Sequence, residues 1–232
     1  MSFNFAHVWT TMAPLSKGVA LVLLAMAISF IGVTVERLIA FSRSSKESRL
    51  FAGRAGKLLE ERRLEEIAEL ASKHQASTLA RLFGPITMRY IQAYEGLGEG
   101  GLSPVELARN ESARRLEGIG EEVRRGMNVI ATVGSIAPFV GLLGTVLGII
   151  GAFQGIGAAG SAGIGPVMVG ISEALVETAF GLIVAIPAVI AFNYLNARVG
   201  AIDTALGRSA GELLDELEDH FGRSSVSHRR AA

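Results

Sequence analysis

From Gly126 to Ala197, 72 consecutive residues, the chain carries two charged side chains, Glu173 and Glu177. A soluble amphipathic helix must show a polar face to water at every turn. A stretch this long with so little charge is solvated by lipid or by other lipid-embedded helices, which makes this an integral membrane protein.

Crossing about 30 Å of hydrocarbon takes roughly 20 apolar residues at about 1.5 Å each. Three segments are long enough: one from about Gly18 to Val35, ending at the polar pair Glu36 and Arg37, one from about Val129 to Phe153, and one from about Pro166 to Phe192. The first could be read as a signal peptide behind Lys17. Its apolar run is too long for one and no small-x-small cleavage site follows, so it is expected to be retained as a span. Between the second and third lies QGIGAAGSAGIG, residues 154–165, uncharged and glycine-rich, which predicts a tight connector and an antiparallel hairpin. Lys and Arg number one before the first span, 15 in residues 42–126, none in the connector and five after residue 196. By the excess of positive charge on cytoplasmic loops, 42–126 and the tail are expected in the cytosol and the N-terminus outside.

The predicted organisation is a short outer segment 1–17, a first transmembrane helix 18–41, a cytoplasmic helical domain 42–126, the hairpin 127–195, and a cytoplasmic C-terminal helix with a disordered tail, 196–232. Ser103, Pro104 and Glu106 spell a capping box, and from there Val105, Ala108, Leu116, Ile119, Val123, Met127 and Ile130 recur at helical spacing. That stripe predicts one unbroken helix from the cytosol through the second span. Leu195, Val199, Ile202, Leu206, Leu213, Leu217 and Phe221 extend the third span in the same way. Residues 50–95 are expected to supply two further helices, one containing Leu58, Leu59, Leu64, Ile67 and Leu70, the other broken near Gly84 and Pro85. Strand alternation is nowhere sustained, so the fold class is all-α, with two of its three transmembrane helices running on into a cytoplasmic helical bundle.

Charge and composition exclude other classes. Twenty-two basic residues balance 22 acidic ones, which removes the basic footprint of a nucleic-acid binder. The chain has no cysteine, and its four histidines, His7, His74, His220 and His228, have no ligand-spaced partner. Neither a metal enzyme nor a catalytic triad is expected, and no cofactor is implied. Gly155, Gly157 and Gly160 fit the nominal dinucleotide-binding pattern, but that motif works only between a strand and a helix of a sheet.

An intramembrane carboxylate costs about 3 kcal/mol or more by insertion scales, so it normally faces a bundle interior, a partner or water. Glu173 and, one turn on, Glu177 are the candidates. Counted from position 161 in the connector, Thr145, Glu177 and Thr178 sit at matching offsets and therefore at one depth. A polar layer can line an ion path, though a threonine hydroxyl also satisfies itself on the carbonyl four residues back. Small residues form rows on both helices: Gly134, Gly141, Thr145, Gly148 and Ala152 on one, Ala174, Thr178, Gly181 and Ala185 on the other. Such rows permit close backbone approach, and their surplus points to self-association or a partner helix. Pro138 and Pro187 sit within the spans, where a tolerated bend is the plain reading.

The second span, SIAPFVGLLGTVLGII (135–150), and the third, GISEALVETAFGLIVAIPAV (170–189), closely resemble the paired signatures of the MotA/TolQ/ExbB proton-channel family, nearest its ExbB and TolQ branch. The motif-specific likeness covers the hairpin, and the rest of the chain matches in layout. The resemblance implies a bacterial inner-membrane motor subunit, not an enzyme, that forms a homo-pentamer with its second and third helices around a central pore. It implies an ExbD/TolR-like single-span partner in that pore and a TonB/TolA-like periplasm-spanning protein that receives the work. Carried over residue by residue, Glu173 falls on the family's third-span glutamate, and Thr145 and Thr178 on its pore-facing threonines. Glu177 departs from the pattern, where a small residue is usual. It is included in the proton path 173, 145, 178, 177 with the ion, H+ or Na+, left open. The competing reading is a structural membrane scaffold whose carboxylates serve only packing.

Overall fold

The computed structural model describes residues 14–96, 101–159 and 164–231, without the side chains of 155–167 and 224–231. Six helices lie among the described residues: α1 (Pro14–Glu60), α2 (Leu64–Lys73), α3 (Thr78–Glu95), α4 (Pro104–Arg124), α5 (Met127–Ala159) and α6 (Ile164–Ala231). Helices α1 and α6, and α4 taken together with α5, each hold a window long and apolar enough to cross a membrane. The protein is an all-helical, multi-pass membrane protein. The chain divides into two compact units, residues 1–36 with 126–196, and residues 37–125 with 197–232.

The second of these units has a core of soluble type. Phe51, Ile67, Leu82, Ile86, Tyr90, Ala108, Leu213 and Leu217 are buried, and the rings of Phe51 and Phe83 meet edge to face at 5.8 Å. Local chemistry starts its helices: Ser77 caps α3 by accepting from the Ala80 N–H, and Ser103 and Glu106 complete the capping box before α4. Each cap satisfies backbone donors that the first helical turn leaves without partners.

Five sequence expectations are revised. The stripe from Val105 to Ile130 is buried at nearly every position, but it is not one helix: α4 ends at Arg124 and α5 begins at Met127, with Gly126 at φ +80° between them. A side chain there would be strained by that φ and would meet Val33 Cγ1 at 2.9 Å, so the position needs glycine. Leu58 and Leu59 belong to the end of α1, separated from Leu64 by a turn in which Arg62 takes φ 58°. Pro85 does not break its helix; it lies inside α3, whose Gly84 packs against Ala71, where an added Cβ would stand 2.9 Å from the alanine Cβ. Helical backbone also continues to Ala231, past the point where disorder was expected, because extending an existing helix avoids the nucleation cost. The expected connector 154–165 is partly helical too: α5 runs to Ala159 and α6 starts at Ile164, with 160–163 outside the described residues.

In the first unit α5 and α6 form the expected antiparallel hairpin. Gly148 packs on Ala174 and Ala152 on Gly170, pairs equally distant from position 161. Pro138 and Pro187 lie inside continuous helices. Outside the contacts, Phe139, Leu142, Ile183, Ile186 and Ile190 stay exposed, as do Leu21, Leu24 and Ile28 on α1. Apolar surface of this extent suits lipid or neighbouring membrane helices rather than water.

Candidate functional site

The small-residue rows bring α5 and α6 within backbone contact. A Cβ on Gly141 would stand 2.9 Å from the Glu177 carbonyl and 3.1 Å from the Gly181 Cα; one on Gly181 would stand 2.7 Å from the Ala137 carbonyl. Only glycine fits at that separation. The approach seats the two threonines on one another: the hydroxyls of Thr145 and Thr178 are hydrogen-bonded across the helix pair. The Thr178 hydroxyl also lies 3.1 Å from the Gly141 carbonyl, and that of Thr145 lies 3.2 Å from the same oxygen and 3.3 Å from the Ala174 carbonyl. A hydroxyl donates one proton. Two hydroxyls among two carbonyls therefore have several interchangeable hydrogen-bond patterns of similar geometry.

Glu173 lies one turn before this pair, half-buried, and makes no hydrogen bond among the described residues. Glu177 is at the same depth as the threonines, as its offset predicted, but it does not join their network. Its side chain is 2% exposed and turns to the other side of α5, against Gly144. A methyl group at Gly144 would overlap the Glu177 Oε2 and come within 3.0 Å of both its Cδ and the Val19 Cγ1 of α1. The four polar residues thus make two arrangements: a threonine pair with a half-buried carboxyl nearby, and a sealed carboxyl facing α1. Gly148 and Gly181 serve the helix contact, and Gly141 adds its carbonyl to the threonine network.

Sequence reasoning missed Gly144 and Val19. Gly144 stands off the row 141, 145, 148, 152, and that displacement was the available signal: a transmembrane glycine outside the hairpin row implies that a further element comes close. The pattern Gly155, Gly157, Gly160 has no strand before it; its first two glycines continue α5, and Gly160 lies outside the described residues.

The family model for the MotA/TolQ/ExbB proton channel family matches residues 91–207, half of the chain, and takes in Thr145, Glu173, Glu177 and Thr178. The chain belongs to this family. It is 50% identical over 130 residues to the biopolymer transport protein ExbB of Xanthomonas campestris pv. campestris, a match covering 56% of this chain and 49% of that one. It is 43% identical over 101 residues to the ExbB of Salmonella typhimurium, covering 44% and 41%. Against the Tol-Pal system protein TolQ of Haemophilus influenzae it is 37% identical over 139 residues, covering 60% and 54%. The chain spans about half the length of the curated relatives it matches. For this member of the family, the polar groups inside the hairpin are the candidates for ion handling.

Proposed function

We propose that this chain is the ring-forming subunit of an inner-membrane, proton-driven motor. In this reading it assembles as a homo-pentamer with α5 and α6 around a pore, and holds an ExbD/TolR-like single-span partner there. The protons it conducts drive work on a TonB/TolA-like periplasm-spanning protein. The N-terminus is outside and the bulk of residues 42–126 cytoplasmic, as the distribution of Lys and Arg suggests. One charge crossing 100 mV releases about 2.3 kcal/mol, usable only if a group in a sealed path takes up and gives back the proton.

The observation that carries this reading is Glu173: a carboxyl inside an apolar hairpin, half-buried, with no hydrogen bond among the described residues, one turn from a hydroxyl pair. A packing carboxyl would be expected to have a partner. The threonine pair can pass hydrogen bonds between alternative acceptors, which suits a wet proton path. One observation favours the scaffold reading instead: both hydroxyls reach backbone carbonyls, as purely structural threonines do.

The test separates them. Glu173→Ala and Glu173→Gln are expected to insert and assemble normally and to fail in energised complementation of cells lacking their own ExbB and TolQ. The readouts are iron-chelate uptake and outer-membrane integrity. Wild-type activity in Glu173→Gln would support the scaffold and overturn the motor.

A further inference from the structure

Glu177 is a buried acid that the proton path through Glu173 and the threonines does not need. Among the described residues neither of its carboxyl oxygens has a hydrogen-bond partner, and a buried polar group of this kind calls for an explanation. Its chamber has three walls: the bare backbone of Gly144 on α5, the Val19 side chain on α1, and α6 itself. Val19 is 7% exposed, and Ser16, one turn earlier on α1, is 5% exposed. The Ser16 hydroxyl is a polar neighbour of the carboxyl but stands outside hydrogen-bonding geometry.

The charged groups on the surrounding elements are few. On α1, Lys17 adjoins Ser16 and the next charge is Glu36; α5 has none along its whole length; α6 contributes Glu173 one turn away. A carboxylate anion in this chamber would have the Ser16 hydroxyl as its one polar neighbour and no facing cation among the described residues, and a buried charge without an ion partner is far more costly than a buried neutral acid. The closed packing therefore fits the neutral acid. Forming the anion requires water, and water reaches this carboxyl only if α1 and the hairpin part.

We propose that Glu177 is a second proton-binding site, separate from Glu173, in a chamber closed by Gly144, Val19 and Ser16, and that the proton held there keeps α1 seated on the hairpin. Release is a single proton transfer in which the O–H bond of the acid breaks, water takes the proton, and no other bond changes. This site holds its proton whether or not Glu173 carries the driving proton.

The natural chain has no cysteine, so Val19→Cys gives a unique thiol in the chamber wall. The full chain in nanodiscs is labelled with a membrane-impermeant maleimide over a range of pH, with Glu177 or with Glu177→Gln behind it. The ratio of the two rates cancels the thiol's own ionisation. The expected result is a ratio that climbs with pH, by up to about tenfold per pH unit, because opening then takes up the linkage of one released proton. The climb persists with Glu173→Gln in the background, which separates this site from the proposed path. A ratio flat across the pH range overturns the proposal. Infrared spectra give an independent reading: a protonated-carboxyl band at neutral pH, lost in Glu177→Gln and kept in Glu173→Gln, supports it, and its absence from the natural chain overturns it. In a double-mutant cycle on the Val19→Cys background, Gly144→Ala is expected to raise labelling of the introduced thiol more in the Glu177 chain than beside Glu177→Ala, where only its contact with position 19 remains. Simple additivity would place the carboxyl elsewhere.

Discussion

At the residue scale, burial decides what a titratable group does. Tyr90 is buried in the unit formed by residues 37–125 and 197–232, with its hydroxyl 2.9 Å from the His220 Nδ1. Its ring stacks on Tyr94 at 5.9 Å. Loss of water around the phenol, and secondarily the neighbouring Tyr94, push its pKa up from 10.0 to about 12. The folded-state value lies above the unfolded one, so stability from the neutral phenol is complete below pH 10 and is lost as pH rises toward about 12. Titrated by tyrosinate absorbance, Tyr90 is expected to ionise after an ordinary tyrosine. Tyr90→Phe is expected to flatten that alkaline loss of stability and to cost about 1 kcal/mol at neutral pH through the missing hydrogen bond. Glu173 and Glu177 make the same point inside the membrane. One helical turn separates them in sequence, yet one is half-buried and the other sealed, because only the second meets a glycine on α5 and a valine on α1.

At the element scale, the hairpin is held by what its helices lack. Lipid tails are as apolar as leucine, so two helices gain by associating only where their backbones can come close. Gly181 faces the Ala137 carbonyl at 2.7 Å from where a Cβ would sit, and neither backbone can yield without unseating the threonine pair. Gly181→Ala is therefore expected to destabilise the hairpin by about 2 kcal/mol, within the range of overpacked cores, measured by thermal melting in detergent. Gly200, on the same helix, has nothing within 4 Å of such a Cβ. Gly200→Ala is expected to be neutral or to stabilise by up to about 1 kcal/mol, since alanine is the better helix former. Equal losses from both substitutions would mean that helix propensity, not the contact, governs the hairpin.

At the scale of the whole molecule, two units with different interiors share one chain. One has a core of large buried side chains with surface ion pairs such as Arg62–Asp219 at 3.0 Å; the other keeps large apolar side chains exposed along its helices. Urea weakens burial that depends on water and acts little on segments sheltered by lipid. In nanodiscs, amides of residues 64–124 are expected to lose exchange protection at lower urea than those of 127–153 and 168–196, read by hydrogen–deuterium exchange. Simultaneous loss would show one cooperative unit. Much of this division was legible in the sequence. Two charges in 72 residues demand a membrane whatever the packing, and equal offsets from the connector determine depth in any antiparallel pair, which is why the Thr145 and Thr178 layer was found from spacing alone. The break at Gly126, the intact helix through Pro85 and the separation of Glu177 from the threonines were not legible. Each depends on which neighbour arrives: Val33 at Gly126, Ala71 at Gly84, Val19 beside Gly144. Periodicity along one helix is a local property of its residues, whereas the identity of the side chain that another helix brings against it exists only once the chain has folded.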